Sequence, residues 1–386
     1  MLSTNGGLTI YKKQIQFGTH QYGFISGEGI LGQVAEWLNP LELEVDTYMI
    51  ISDSGVPHPI IAQTVAAFEK AGTTYLLTFP PGEKNKNLIT VESLCRKALA
   101  LGADRRTAIV ALGGGVSGNV AGMVAGMLCR GLPLIHIPTT LIAASDSVLS
   151  LKQGVNLDQG KNILGFFYTP RVVCVELSFL HSLPAREIRS GLCELVKNLL
   201  AILPEQMDTY RKLLRPSNQY RMEELQQFIE FCIEAKMTVM QDDPYEKNHA
   251  VVLEYGHTIG HAVELLGNGD YSHGESIAFG MLCMSTVSKW LGLLTEKEVD
   301  LHYELLELVG ANVIPPSLWI PNIERYMLRD NKKGYRRYVP GKTGLVLLNG
   351  LGRINQEAGS FITYVDDALV RESIRYHTES KIHIKG

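Results

Sequence analysis

From Thr47 to Pro138 the chain alternates short runs rich in β-forming residues with helical stretches, and few architectures accommodate that order. Residues 47–52 (TYMIIS) read as a strand ending at Asp53-Ser54-Gly55-Val56-Pro57, a loop signal. A helical stretch at 60–71 leads to the strand-like run 74–79 (TYLLTF). Another at 89–101 leads to the runs 107–112 (TAIVAL) and 133–138 (PLIHIP). Strands alternating with helices predict an α/β class, with a parallel sheet covered on both faces. The second half changes character. Residues 222–241 place Leu225, Phe228, Ile229, Cys232 and Ile233 on one helix face, and 252–266, 275–291 and 296–309 also read as helical. The pattern switches near His181-Ser182-Leu183-Pro184. A chain of 386 residues exceeds what one core usually holds. The expectation is a parallel-sheet domain over 1–180 and a mainly α-helical domain over 181–386.

Composition removes several classes of function. With 45% apolar and 20% charged residues, the chain has enough apolar content to exclude wholesale disorder. Its 36 Lys and Arg against 40 Asp and Glu give a net charge of −4, which argues against nucleic acid as a partner. The longest apolar run, 120–129, is too short to span a bilayer and ends at Arg130, so no membrane role is expected. The N-terminal MLSTNGGLTIYKKQ lacks the apolar region of a secretory signal. Six cysteines without CxxC spacing read as reduced thiols, and the expected location is the cytoplasm.

After TAIVAL comes Gly113-Gly114-Gly115-Val116-Ser117-Gly118-Asn119, a GxGxxG pattern at a strand-to-helix junction. Glycines there let the backbone approach a pyrophosphate, and the helix N-terminus supplies free N–H groups. A competing reading is that Gly118, Gly122 and Gly126, four apart, serve only close helix packing. The acidic residue that usually follows some twenty positions on is absent; Thr139-Thr140 stand in that stretch. Asp53, at the end of the first strand, is a candidate acceptor for a ribose hydroxyl. Glu83 and Lys86 are candidates of the same kind, and each is otherwise a solvated loop charge.

His257 and His261 lie four apart on one helix face, and His273-Gly274-Glu275 opens the next helix. A catalytic divalent ion takes three protein ligands and keeps a position open. Glu194, inside an apolar helical stretch, is the natural carboxylate; spacing leaves open which histidine is not a ligand. Without Glu directly after His257 the metalloprotease base is missing. Arg130, Lys152, Lys161, Asn162, Lys236, Lys332 and Lys333 are single cations or polar groups that, beside a nucleotide and a metal, suggest a phosphorylated substrate.

These motifs, with Asp146, Lys197 and Gly256 at ordered spacings from about Asp53 to Lys333, resemble the sugar-phosphate cyclases, the dehydroquinate synthase-like family. The resemblance implies a Rossmann-like N-terminal domain, a helical metal- and substrate-binding C-terminal domain and an active site in the cleft between them. It implies catalytic NAD contacted by Asp53, Glu83, Lys86, Gly114, Gly115, Val116, Asn119, Thr139, Thr140, Asp146, Lys161 and Asn162. It places zinc or cobalt on Glu194, His257 and His273, with His261 either just outside the ligand set or in contact with the phosphate. Lys152 and Glu254 would handle protons, assisted by Lys197 and His261. Lys236 and Asp146 would orient hydroxyls, Arg130 and Asn162 would hold phosphate, and Lys332 and Lys333 would add basic contacts. A homodimer is implied, with room for an accessory subunit.

The chain departs from dehydroquinate synthases at three positions: Ala250 stands where they carry Arg, Glu254 where they carry Asn, and Asn119 where Asp is usual. Losing a guanidinium removes the fork that suits a carboxylate, and Glu254 would repel one. The expected substrate is therefore D-glucose 6-phosphate, in the aminoglycoside branch of the family. The expected course is oxidation at C4, phosphate elimination, re-reduction, ring opening and intramolecular aldol closure. The alternatives are a valiolone-type or dehydroquinate synthase, a metal-dependent polyol dehydrogenase, and a non-catalytic scaffold.

Overall fold

The computed structural model describes residues 10–158, 160–311, 314–327 and 338–379. The candidates Lys332 and Lys333 lie outside the described residues. Among the described residues of the first half there are nine strands: β1 (Tyr11–Phe17), β2 (His20–Gly27), β3 (Thr47–Asp53), β4 (Thr73–Phe79), β5 (Thr107–Gly113), β6 (Leu134–Pro138), β7 (Lys152–Leu157), β8 (Gly160–Phe167) and β9 (Val172–Glu176). Seven form one sheet in the order β1-β2-β9-β6-β5-β3-β4. All neighbours are parallel except the hairpin pair β1–β2 at the edge.

Strands β5, β6 and β9 are buried throughout, which matches their mostly apolar sequence, because both faces of the sheet are covered. The pleat divides each strand between two cores. Met49, Ile51, Ile109 and Ala111 pack with Val91 and Leu94 and with Val120 and Val124 of the Gly115–Met127 helix. Tyr48, Ile50, Ala108 and Val110 pack on the other side with Trp37, Phe68 and Phe179. From β3 the chain passes outward to β4, then crosses to β5 and continues through β6 in the opposite direction. The carboxyl ends of β3 and β5 therefore flank the topological switch point, where open α/β sheets bind ligands.

Strands β7 and β8 form a separate antiparallel hairpin that lies against the Gly115–Met127 helix. A Cβ on Gly122 would sit 2.0 Å from the Gln153 side chain, and one on Gly126 would sit 2.2 Å from the Phe166 ring. Those glycines are a packing surface, so the packing reading of the glycine spacing holds alongside the turn.

The chain divides into two compact units. One runs through Pro184 and also takes up Tyr220–Ile233; the other holds Ala185–Gln219 and the described chain from Glu234 onward. The sequence division at 180/181 did not anticipate that return of the chain. The second unit is built from the helices Ala185–Ala201, His257–Gly267, His273–Trp290, Glu296–Leu308, Ile320–Met327 and Asp367–Glu379, with a two-stranded sheet of Lys342–Leu345 and Thr363–Asp366. The single helix expected over 252–266 is instead a 3₁₀ turn, His249–Glu254, and a helix that starts at His257. Gly256, at φ 84°, breaks the helical path between them, a left-handed conformation that glycine adopts at little cost. Among the described residues no helix is long and apolar enough to cross a membrane.

Burial pushes His136, His302 and His377 down to about 4. The unfolded chain titrates these groups near 6.5, so between about 6.5 and 4 it binds protons that the native state refuses. The stability present above pH ~6.5 is lost as pH falls through ~4, by up to ~1.4 kcal/mol per histidine per pH unit. Denaturant unfolding across that range should show this slope, and His302→Gln should flatten it.

Candidate active site

In the first unit, the ends of β3, β5 and β6 converge at the switch point. Gly114 caps the Gly115–Met127 helix without any side-chain bond, so its first N–H groups remain open to an anion. The Asp53 carboxylate accepts from the Ser117 hydroxyl at 2.6 Å and from the Gly55 N–H at 2.9 Å, which ties β3 to the glycine turn. Thr139 N–H donates to the Gly113 carbonyl at 3.0 Å, and the Thr140 hydroxyl accepts from Ala143 N–H at 3.2 Å. Asp146 lies in the π-helical turn Ala143–Ser147, a distortion frequent at functional sites. The Asn119 side chain donates to the Gly115 carbonyl and accepts from Gly154 N–H, each at 2.9 Å.

Glu83, Lys86, Lys161 and Asn162 come together around Asn156. The Asn156 amide donates to Glu83 Oε1 at 2.9 Å, and its oxygen accepts from Asn162 N–H at 2.8 Å. The buried Lys86 ammonium donates to Asn162 Oδ1 at 2.5 Å, and Lys161 pairs with Glu83 at 3.5 Å. Asn156 was not among the sequence candidates; it matters only once β7 and β8 pair. Lys152 is exposed at the start of β7, and Arg130 is exposed before the Gly131 turn.

In the second unit, the Ala185–Ala201 helix carries Glu194, fully buried. Lys197, one turn on and 1% exposed, donates to Glu194 Oε2 and to the Leu253 carbonyl at 2.7 Å. Glu194 Oε1 is buried with no hydrogen-bond partner, and it faces His257 Nε2 at 3.6 Å and His273 Nε2 at 3.5 Å. A tetrahedral cation with ligand bonds of ~2.0–2.2 Å separates its donor atoms by ~3.4 Å, so this triangle has the size of a metal site. Each imidazole has its other nitrogen engaged: His257 Nδ1 bonds the Tyr255 carbonyl and His273 Nδ1 bonds Glu264 Oε2, both at 3.1 Å. A carbonyl or carboxylate at Nδ1 keeps the proton there and leaves the Nε2 lone pair free. His261 stands beside them, with ligand atoms of all three histidines within 4.8 Å of one another. Burial alone would lower His273, but Glu264 and Glu194 outweigh it and pull it up to about 10, so either a proton or a cation is favoured at Nε2.

The helices bearing Glu194 and His273 touch at Gly274. Its N–H donates to the Ser190 hydroxyl at 3.2 Å, and a Cβ there would lie 2.1 Å from the Ser190 carbonyl. Glu275 completes a capping box with Ser272 and accepts from Arg189 at 3.0 Å, so the start of His273–Trp290 is bound to Ala185–Ala201. Tyr255, whose carbonyl orients His257, is fully buried and bonds His302 at 3.0 Å. Ala250 is buried with its N–H on Asp243, Glu254 ends the 3₁₀ turn after Leu253, and Lys236 is buried in Met222–Met240. Sequence reasoning missed Glu264, although it lies seven residues after His257 and three after His261, on their helix face.

The model of the 3-dehydroquinate synthase N-terminal domain matches residues 76–190, and that of the C-terminal domain matches 191–333. The chain belongs to the dehydroquinate synthase-like family of sugar-phosphate cyclases. Within that family, it is 44% identical to 2-deoxy-scyllo-inosose synthase of Niallia circulans, over 94% of this chain and 98% of that protein. It is 42% identical to the synthase of the same name from Micromonospora echinospora, over 94% and 91%. A crystal structure of 2-deoxy-scyllo-inosose synthase complexed with carbaglucose-6-phosphate, NAD+ and Co2+ superposes with a TM-score of 0.90 at 43% identity, covering 95% of this chain and all of that one. The 2-epi-5-epi-valiolone synthase of Streptomyces hygroscopicus shares the fold at a TM-score of 0.78 and 23% identity, over 93% and 97%.

Replacing Gly274 by Val should wedge apart the two helices that carry Glu194 and His273. The expected cost is ~1–3 kcal/mol of stability, the range for overpacking, together with weaker Co2+ binding. Urea unfolding and metal titration measure the two effects, and Gly274→Ala should show both to a smaller degree.

Proposed function

We propose that the chain converts D-glucose 6-phosphate into 2-deoxy-scyllo-inosose with release of phosphate, using NAD without net consumption and one divalent cation, Co2+ or Zn2+. The observation that carries this reading is the match to 2-deoxy-scyllo-inosose synthases over nearly the whole chain, 44% identical over 94% of it. The solved relative that holds a carbocyclic analogue of the sugar phosphate together with NAD+ and Co2+ supports it. So does a donor set that fits a cation. The absence of an Arg at Ala250 and the presence of Glu254 both work against a carboxylate-bearing substrate.

When bound, the cation on Glu194, His257 and His273 supplies Lewis acidity at a substrate hydroxyl, and NAD supplies a hydride acceptor that later returns the hydride. Lys197 holds one oxygen of Glu194 and so leaves the other aimed at the imidazoles. Lys86 occupies the oxygen of the Asn162 amide, which leaves the NH₂ group to donate to a phosphate that Arg130 also attracts. Glu83 and Lys161 border the nucleotide at the same cluster. Lys152 orients hydroxyls and transfers protons, Glu254 acts as acid and base, and His261, Asp146 and Lys236 orient the remaining hydroxyls. The same reading includes a homodimer, with room for an accessory subunit. It places the protein in the cytoplasm, where its six free thiols stay reduced.

Incubation with NAD, Co2+ and glucose 6-phosphate should release phosphate, leave no lasting NADH and yield a carbocyclic ketone by mass spectrometry. Steady NADH without phosphate would make the protein a polyol dehydrogenase. Turnover only with sedoheptulose 7-phosphate would make it a valiolone-type synthase. Glu254→Gln should keep its metal and lose about 10²–10⁴-fold in turnover, the range for general acid–base catalysis; full activity in that variant removes Glu254 from the mechanism.

A further inference from the structure

His273 is the more exposed of the two imidazoles facing Glu194, its side chain 27% exposed against 10% for His257. His257 is held by a main-chain carbonyl in a buried turn, and that turn is braced by Tyr255 on His302. His273 has no such backbone acceptor: its Nδ1 bonds only the Glu264 carboxylate among the hydrogen bonds described for that ring. Glu264 lies on the His257–Gly267 helix and His273 opens the next one, so a single side-chain bond spans two elements at the most accessible ligand.

We infer that Glu264 is a positioning residue of the metal centre, which fixes the Nδ1–H tautomer and ring plane of His273 so that Nε2 points at the site. The inference rests on the metal reading proposed above. A neutral imidazole can carry its proton on either nitrogen, and only the Nδ1–H form presents Nε2 as a donor. A carboxylate acceptor at Nδ1 selects that form and makes Nε2 more basic, and loss of such a partner typically lowers metal affinity ~10–100-fold. With a cation bound, Glu264 and His273 would form a carboxylate–histidine–metal chain whose two protein groups both belong to this chain.

The test is Co2+ titration of metal-free protein, read by the visible d–d spectrum and by competition with a chelator, for the parent chain and for Glu264→Gln, Glu264→Ala and His273→Ala. Glu264→Ala should weaken Co2+ ~10–100-fold and shift the d–d bands, because the ring is no longer held in one orientation. Glu264→Gln, nearly isosteric and still an acceptor, should fall between it and the parent chain. The melting temperature of the metal-free protein should stay close to that of the parent in Glu264→Gln, which separates positioning from folding. If both Glu264 variants bind Co2+ as the parent does, with unchanged spectra, while His273→Ala loses it, the inference is overturned and the metal centre stands. If His273→Ala also binds Co2+ unchanged, it is the metal reading itself that fails.

Discussion

A carboxylate with none of its surface exposed is stable only when cations or donors surround it, and Glu194 sets that condition for the second unit. Lys197 answers for one oxygen. The other has only two imidazole edges at 3.5 and 3.6 Å, too far for hydrogen bonds and well placed for a shared cation. Three helices must then be held in fixed relation, since a shift of an ångström would open the triangle. The contacts that hold them are stiff: a glycine with its backbone against Ser190, a carboxylate shared between a helix cap and Arg189, and a tyrosine buried to its hydroxyl. The unsatisfied oxygen of Glu194 thus sits among helices that several independent contacts hold together.

The first unit solves a different problem, that of bringing loops from four places to one sheet edge. The crossover between β3 and β5 creates the gap, and Asp53 with Ser117 closes its floor without adding bulk. The side-chain-free face of the Gly115–Met127 helix then admits the β7–β8 hairpin at near backbone contact. Through that hairpin, Asn156 and Asn162 reach the loop after β4 and gather Glu83, Lys86 and Lys161.

How much of this was legible in the sequence depended on whether the signal was local. Strands β3, β5 and β6 were visible because a buried parallel strand is a nearly continuous apolar run, edge strand β4 because its residues are β-formers, and the glycine turn because backbone demands restrict residue type. The histidine pair was visible because helical spacing puts residues four apart on one face. The β7–β8 hairpin was not, since Lys152-Gln153-Gly154 and Gly160-Lys161-Asn162 have little alternation, and its stability comes from a neighbouring helix. The same cause hid Asn156. The break at Gly256 was missed because apolar residues continue through Val251, Val252 and Leu253 at helix-like spacing, and only a positive φ reveals the turn. Tyr220–Ile233 was assigned by position along the chain, whereas its stripe of Leu225, Phe228 and Ile229 packs with the first unit.

Asn119 shows how a departure from a family pattern can be set by its neighbours. Its two side-chain contacts have opposite polarity: the Gly115 carbonyl needs a donor and the Gly154 N–H needs an acceptor. An amide satisfies both, and the two contacts together determine which end is oxygen. A carboxylate would satisfy Gly154 but set a negative oxygen 2.9 Å from a carbonyl oxygen in the first turn of a helix. The helix N-terminus would favour that charge and the carbonyl would oppose it, so an aspartate here must turn away from Gly115. Asn119 therefore exchanges a charge near the glycine turn for a neutral strut between that turn and the hairpin that begins at Lys152. One hydrogen of its amide, not used by Gly115, is left to donate elsewhere.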